Sequence, residues 1–450
     1  MRLDKLPSGP GFICQRKREV RFEIQRRCHL LAAVFIVISM DFECSLGQDF
    51  VPNYDESKVP EFVLPELLEF NDGSRVESQA AWVQRREELL ELFRREMFGT
   101  SPAGVRPQAR IVEQSNDAFN GKANRKQVEL AISHGEKQIK LNLLIYTPAT
   151  ASQFHPVFLG LNFKGNHSIT SDPAVRISDS WVPNDPKLGI ADNRSNEQAR
   201  GVQASRWPIQ KILDSGFGLV TCYYGDIDPD YDDGFFNGVH GLYSHAKNDV
   251  DGYSWGSIAA WAWGLSRIMD YLESDEEIMA DRVVLTGHSR LGKAALWGGA
   301  TDPRFAIVIS NNSGCGGAAL SRRAFGETVG RINQVFPHWF CERFRTFNQN
   351  EGSLPFDQHM LIGLLAPRPC YIASAIEDQW ADPKGEFLAA RAAGPAYELF
   401  GLEGIQADAM PEVDQPIGAS IGYHIRSGGH DVTDYDWDQW IRFARQHFEN

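Results

Sequence analysis

The hydrophobic pattern of the chain changes character near residue 156. Before it, residues 77–97 (ESQAAWVQRREELLELFRREM) set Trp82, Leu89, Phe93 and Met97 near helical spacing with charges between them, which predicts an amphipathic helix. Two alternating runs follow, RKQVELAIS (125–133) and IKLNLLIYTP (139–148), joined by His134-Gly135-Glu136-Lys137. They predict an antiparallel hairpin at the edge of a sheet. After 156 the runs become short and apolar throughout: PVFLGLNF, FGLVTCYYG, RVVLTG and PCYIASAIED. Helical stretches lie between them, notably residues 254–274. Apolar strands alternating with helices predict a mostly parallel sheet covered on both faces, a three-layer α/β sandwich. In such sheets the working residues gather beyond the C-terminal strand ends.

The first 48 residues do not share this pattern. Arg26 and Arg27 precede a thirteen-residue apolar run, Cys28 to Met40, then small and polar residues up to Gln48. The run is too short to span a membrane comfortably and has the length of a signal-peptide core, so residues 1–48 are read as an export signal and 49–450 as one catalytic domain. The 25 residues ahead of the run are long for a signal's leading region, which points to a translation start downstream of Met1. The expected location is therefore secreted or periplasmic, with no membrane association after processing.

Composition narrows the field further. A chain that is 42% hydrophobic, with 11 Trp and 27 Phe, has ample material for a large core. Its net charge of −14 and lack of a basic stripe exclude nucleic acid as an expected partner. Four cysteines lie beyond residue 48: Cys222, Cys315, Cys341 and Cys370. No pair has zinc or redox spacing, so neither a metal nor a cofactor is expected, although an exported setting allows one Cys315–Cys341 bridge.

The strongest chemical signal is VVLTGHSRLGKAALWG, residues 283–298. A strand ends at Gly287, a small-residue helix starts by Lys293, and Ser289 stands between them. A strand-to-helix turn this sharp strains its central residue and crowds its neighbours, which explains nearby glycines; the helix N-terminus favours developing negative charge. The pattern is G-x-S-x-x-G, with Leu291 where the usual second glycine would be. Ser289 is thus a candidate nucleophile, with a structural turn as the plain alternative.

A serine nucleophile needs a base, and the base an orienting acid. His430, after two glycines and just before a C-terminal helix, is the expected base; His424, His359 and His338 are rivals. The strand 369–378 ends in Glu377-Asp378, with Asp382 close behind. Asp378 is the expected acid, Glu377 a solvated neighbour. Asp431, Asp434, Asp436 and Asp438 are expected to form a solvated acidic face.

TGHSRLGKAALW, NNSGCGGAALSRR, FPHWFCERF, LPFDQHMLIGLLAPRP, DQWADPKGEF and GGHDVTDYDW, taken in order, resemble the bacterial branch of the glucuronoyl esterases, carbohydrate esterase family 15. The resemblance runs from about residue 60 to the C-terminus. It implies an α/β-hydrolase that cleaves esters between 4-O-methyl-glucuronic acid on xylan and lignin alcohols, with glucuronoxylan–lignin esters as partner substrates of a monomeric enzyme. Carried over by motif, Ser289 is the nucleophile, His430 the base and Arg290 the oxyanion group. Lys293 and Trp380 would bind the sugar, with Glu342 and Gln334 as further sugar contacts.

Two departures matter. Many family members carry a catalytic Glu about 23 residues after the serine, where this chain has Asn312, so the acid role moves to Asp378. Fungal members have cysteines beside the serine and histidine, where this chain has His288 and Asp431. The charge balance suits the implied reaction: a uronate ester is neutral, while the product anion is expelled by an acidic surface. An acetyl-xylan deacetylase on the same fold and a noncatalytic carbohydrate-binding relative are the competing readings. The first lacks a use for Lys293 and Trp380, the second for a nucleophile and its partners.

Overall fold

The computed structural model describes residues 50–150, 154–243 and 255–449. The expected export signal, 1–48, lies outside the described residues. Among the described residues ten strands form a single mixed sheet: β1 (Gln108–Ala118), β2 (Ala123–His134), β3 (Lys137–Pro148), β4 (His155–Asn162), β5 (Gly218–Tyr223), β6 (Ile278–His288), β7 (Ile307–Asn311), β8 (Cys370–Ala375), β9 (Ile417–Gly418) and β10 (Ile421–Arg426). Their spatial order is β1-β2-β3-β5-β4-β6-β7-β8-β10-β9. Strands β5, β4, β6, β7, β8 and β10 run parallel, while β1 to β3 and the two-residue β9 are antiparallel additions.

The parallel strands are apolar on both sides because both sides are covered. Along β6, Val283 and Leu285 enter one core while Val284 enters the other; in β7, Val308 and its neighbours Ile307 and Ile309 divide the same way. The larger core takes in the helices Gln79–Phe93, Ser257–Leu272, Arg290–Thr301 and Pro383–Ala392. The smaller one takes in Ile209–Asp214 and the last helix, Asp434–Phe448. These are the three layers of an α/β-hydrolase, as the strand–helix alternation predicts.

The predicted amphipathic helix forms over Gln79–Phe93, burying Trp82, Leu89 and Phe93, and continues as a π-turn over Arg94–Phe98. The predicted hairpin is β2–β3, in register from Ala123↔Pro148 to His134↔Lys137. It is not the sheet edge, because β1 covers β2. That strand is mostly exposed and rich in polar residues, so it carries little hydrophobic signal. Among the described residues no helix is long and apolar enough to cross a membrane.

Candidate active site

Ser289 sits between β6 and the helix Arg290–Thr301 with φ 58° and ψ −129°, a backbone conformation that residues with a Cβ seldom adopt. Its neighbours show why the sequence turns here. A Cβ on Gly287 would lie 2.0 Å from the Leu291 carbonyl oxygen, and one on Gly292 would meet Ser310 Oγ and Ser313 Cβ at 3.0 Å. The Ser289 N–H donates to the Asn311 carbonyl at 2.9 Å, and its own carbonyl accepts from Gly292 N at 2.9 Å. The strained residue is therefore held at both ends.

His430 and Asp378 come together across the strand ends: His430 Nδ1 lies 2.6 Å from Asp378 Oδ2. The His430 side chain is 42% exposed and that of Asp378 only 4%, an accessible ring on a sheltered carboxylate. Asp378 also accepts from Asn312 Nδ2 at 2.7 Å. The two loops are laced together where Ile376 N donates to the Arg426 carbonyl at 2.9 Å and Glu377 N to the Gly428 carbonyl at 3.1 Å. Beyond His430, the Asp431 carbonyl accepts from Asn311 Nδ2 (3.0 Å) and Arg426 Nη2 (2.6 Å). His288 packs its ring 4.4 Å from that of His430, and burial pushes its pKa well down, so a neutral ring backs the open one.

The rival histidines have other partners. His424 is fully buried and bonds Asp436 at 2.9 Å, His359 bonds the Pro65 carbonyl at 3.0 Å, and His338 bonds Asp230 at 2.8 Å. Glu377 is exposed, whereas Asp382 is buried against Arg323 and caps the helix Pro383–Ala392. Asp436 departs from the expected solvated face. It is fully buried and completes a capping box with Thr433; burial disfavours its charge, yet His424 and Arg426 hold its pKa below the ordinary value. The possible Cys315–Cys341 bridge is not formed. Both thiols are free and buried, with Cys341 Sγ turned to the Arg95 carbonyl at 3.8 Å.

Arg290 opens the nucleophile helix and reaches sideways rather than into solvent. Its Nη1 pairs with Asp230 Oδ2, and its guanidinium carbon lies 4.7 Å from the ring centre of Trp339. Lys293, expected to bind sugar hydroxyls, is turned inward with 4% of its side chain exposed. Its Nζ donates to the carbonyls of Ser313 and Cys315, both at 2.6 Å, and faces Glu327 at 3.6 Å. A cation near a helix N-terminus is disfavoured by the dipole, and these three acceptors offset that.

Glu327 was not singled out by the sequence. Its side chain is 8% exposed; burial raises its pKa, opposed by Lys293 and by a hydrogen bond from Trp380. Lys293, Glu327 and the half-buried Trp380 thus form one wall. A lone acid between glycines and apolar residues in AFGETVG was the signal available. Gln334 and Glu342 are exposed and hydrogen-bond none of these residues; Gln334 accepts from Arg331 at 3.3 Å. They flank the Phe336–Trp339 wall along the chain.

Strand order, the strained serine at the turn, and a histidine–carboxylate pair at neighbouring strand ends define an α/β-hydrolase. Comparison with known proteins is more specific. Residues 241–401 match the family model for fungal glucuronyl esterase. The chain is 50% identical over 397 residues to a carbohydrate esterase of an unknown prokaryotic organism, covering 88% of this chain and 92% of that one. It is 28% identical to a 4-O-methyl-glucuronoyl methylesterase of Schizophyllum commune, over 83% and 82% of the two chains. The solved glucuronoyl esterase from Solibacter usitatus superposes with a TM-score of 0.82 at 45% identity, covering 87% of this chain and all of that one. The chain belongs to the glucuronoyl esterases of carbohydrate esterase family 15, and is a carboxylic ester hydrolase.

Proposed function

We propose that the enzyme hydrolyses esters of 4-O-methyl-D-glucuronic acid, the linkages between glucuronoxylan and lignin alcohols, through an acyl-enzyme on Ser289. The observation that carries this reading is the 2.6 Å His430 Nδ1–Asp378 Oδ2 contact beside a serine at φ 58°. With Nδ1 donating to Asp378, His430 Nε2 is the basic nitrogen. It takes the Ser289 proton as Oγ attacks the uronate carbonyl, then hands that proton to the departing alcohol. Water, deprotonated in turn by Nε2, attacks the acyl carbonyl and releases the uronic acid and Ser289. Arg290, through its guanidinium and the backbone N–H at the helix start, stabilises the oxyanion.

The uronate hydroxyls are read at the Lys293–Glu327 pair, and the sugar ring packs on the aromatic face of Trp380, whose N–H is given to Glu327. Glu342 and Gln334 are further sugar contacts. The enzyme works as a monomer, exported to the exterior or periplasm, where its polymeric substrate lies; the N-terminal sequence of protein from its native host tests the export. Function is tested by comparing methyl glucuronate, methyl galacturonate and an aryl acetate as substrates of the wild type and Ser289→Ala. The glucuronate ester is expected to lead, and Ser289→Ala to lose several orders of magnitude in kcat while still folded. A preference for acetate would transfer the enzyme to the deacetylases.

A further inference from the structure

Arg290 is held by a carboxylate from a distant loop. Asp230 lies three residues past the short helix Tyr224–Ile227 that follows β5, and its side chain is only 4% exposed. It collects four donors from three other parts of the chain. Oδ1 accepts from His338 Nε2 at 2.8 Å and Trp339 Nε1 at 2.7 Å. Oδ2 accepts from Tyr224 OH at 3.1 Å and from Arg290 Nη1. Burial works against the charge, but His338, Arg290 and Trp339 outweigh it and hold the Asp230 pKa at about 2, so it stays ionised across the working range.

The guanidinium is confined on its other side as well. The rings of Phe336 and Trp339 stack at 3.7 Å with planes 2° apart, and the Arg290 guanidinium carbon lies 5.4 and 4.7 Å from their centres. Among the described residues Arg290 Nε is buried without a hydrogen-bond partner, and the salt bridge to Asp230 is the one directional contact fixing the fork. An arginine at the first turn of a helix is also repelled by the dipole, and without a carboxylate it would leave for solvent.

We propose that Asp230 is a positioning residue for ester hydrolysis: it pins the Arg290 guanidinium against the Phe336–Trp339 wall, beside Ser289, before substrate arrives. This rests on the reading of Arg290 as the oxyanion group. Preorganised donors stabilise developing charge without reorganising during the reaction, so releasing the fork should slow the chemical step more than it weakens substrate binding.

The decisive variant is Asp230→Asn. Its amide oxygen can still accept from His338 and Trp339, which places the NH2 group against Arg290, a donor facing a donor. The variant thus removes the salt bridge while keeping shape. Kinetics on methyl glucuronate would be measured for Asp230→Asn, Arg290→Ala and the double variant, with the fold checked by circular dichroism and melting temperature. Asp230→Asn is expected to lower kcat about 10- to 100-fold with KM within about threefold, and Arg290→Ala about 10²- to 10³-fold. The double variant should then fall within about threefold of Arg290→Ala alone. Full kcat in Asp230→Asn, or an undiminished Asp230→Asn loss in the Arg290→Ala background, overturns the inference and leaves Arg290's role standing. Full kcat in Arg290→Ala overturns the oxyanion reading and the inference with it. Should Asp230→Asn not fold, Trp339→Phe keeps the ring under Arg290 and removes one donor from Asp230. Its expected several-fold loss in kcat must likewise vanish in the Arg290→Ala background, and persistence there overturns the inference.

Discussion

Asn312 donates its side-chain amide to Asp378 Oδ2 at 2.7 Å, the same carboxylate oxygen that His430 Nδ1 approaches at 2.6 Å. The position from which many relatives are expected to supply a carboxylate here supplies a donor. A second acid at this distance would repel Asp378; the amide stabilises its charge. The departure at Asn312 and the proposed acid role of Asp378 are thus two halves of one arrangement, with the carboxylate at the end of β8 and its amide donor at the end of β7.

In the proposed triad, replacing Asp378 by Asn keeps the shape and removes the charge that would fix the His430 tautomer and stabilise the imidazolium. We expect kcat to fall by about 10⁴-fold, as when the acid of a serine-protease triad is neutralised, with little loss of folding stability. Steady-state kinetics of Asp378→Asn beside Glu377→Gln and Asp382→Asn check the assignment; only the first should be inactive. An active Asp378→Asn removes this residue from the mechanism.

Changing Asn312 to Asp tests the arrangement from the other side. Two carboxylates at this distance cannot both ionise freely, so the pair keeps a proton to higher pH than Asp378 alone. Below that titration His430 loses its charged partner, and the acid limb of the kcat profile should move up by about one pH unit or more. Asn312→Gly tolerates the φ of 48° and removes the donor together with the rest of the buried side chain, so it should lose at least about 10-fold in kcat with an unshifted profile. Identical profiles for the two variants would separate Asn312 from the acid.

Sequence was most informative where local geometry forces residue choice. The Ser289 turn shows because crowding dictates glycines at 287 and 292; the parallel strands show because burial on both faces makes them apolar throughout. It was least informative where a side chain finds its partner across the fold. Asp230 lies in DIDPDYDDG among four other aspartates, and nothing local marks it as Arg290's partner, 60 residues on. Asp436 was read as solvent-facing because it sits among acids, yet His424 and Arg426, which bury it, come from β10. Lys293 was legible only in part. Its place one turn after Ser289 was readable, but not the carbonyls of Ser313 and Cys315 that turn it inward.

Glu386 makes stability depend on pH. It is fully buried, accepts from the Ser313 and Gly314 N–H groups at 2.8 and 3.0 Å, and lies 2.6 Å from Ser374 Oγ. Burial drives its pKa up from the ordinary 4.5 to about 8. The folded protein therefore keeps a proton that the unfolded chain gives up above about pH 4.5. The stabilisation is complete below that pH and is lost as pH rises towards 8, by up to about 1.4 kcal/mol per pH unit. Glu386→Gln, neutral throughout, should lack this contribution, so its advantage over wild type should grow between pH 5 and 8. Urea unfolding of both proteins at pH 5, 7 and 8.5 reads the difference; parallel curves would mean that Glu386 is already ionised in the fold.

On the proposed reading, the wall of Lys293, Glu327 and Trp380 recognises the uronate while the chemistry takes place at Ser289. Trp380 is half-buried, with Phe50 packed edge-on at a 6.0 Å ring separation, so truncating it opens the sugar side while leaving Ser289, His430 and Asp378 in place. Trp380→Ala should therefore lower kcat/KM for a glucuronate ester about 5- to 150-fold, the equivalent of about 1–3 kcal/mol, and leave an aryl acetate nearly untouched. Lys293→Ala should show the same selectivity and in addition melt at lower temperature, because it strips two buried carbonyls and Glu327 of their common partner. Glu327→Gln distinguishes charge from shape: it keeps an acceptor for Trp380 but removes the anion facing Lys293, and should weaken glucuronate esters without the loss of stability seen for Lys293→Ala. Equal losses on both substrates in all three variants would mean that this wall supports the fold of the site and does not read the sugar.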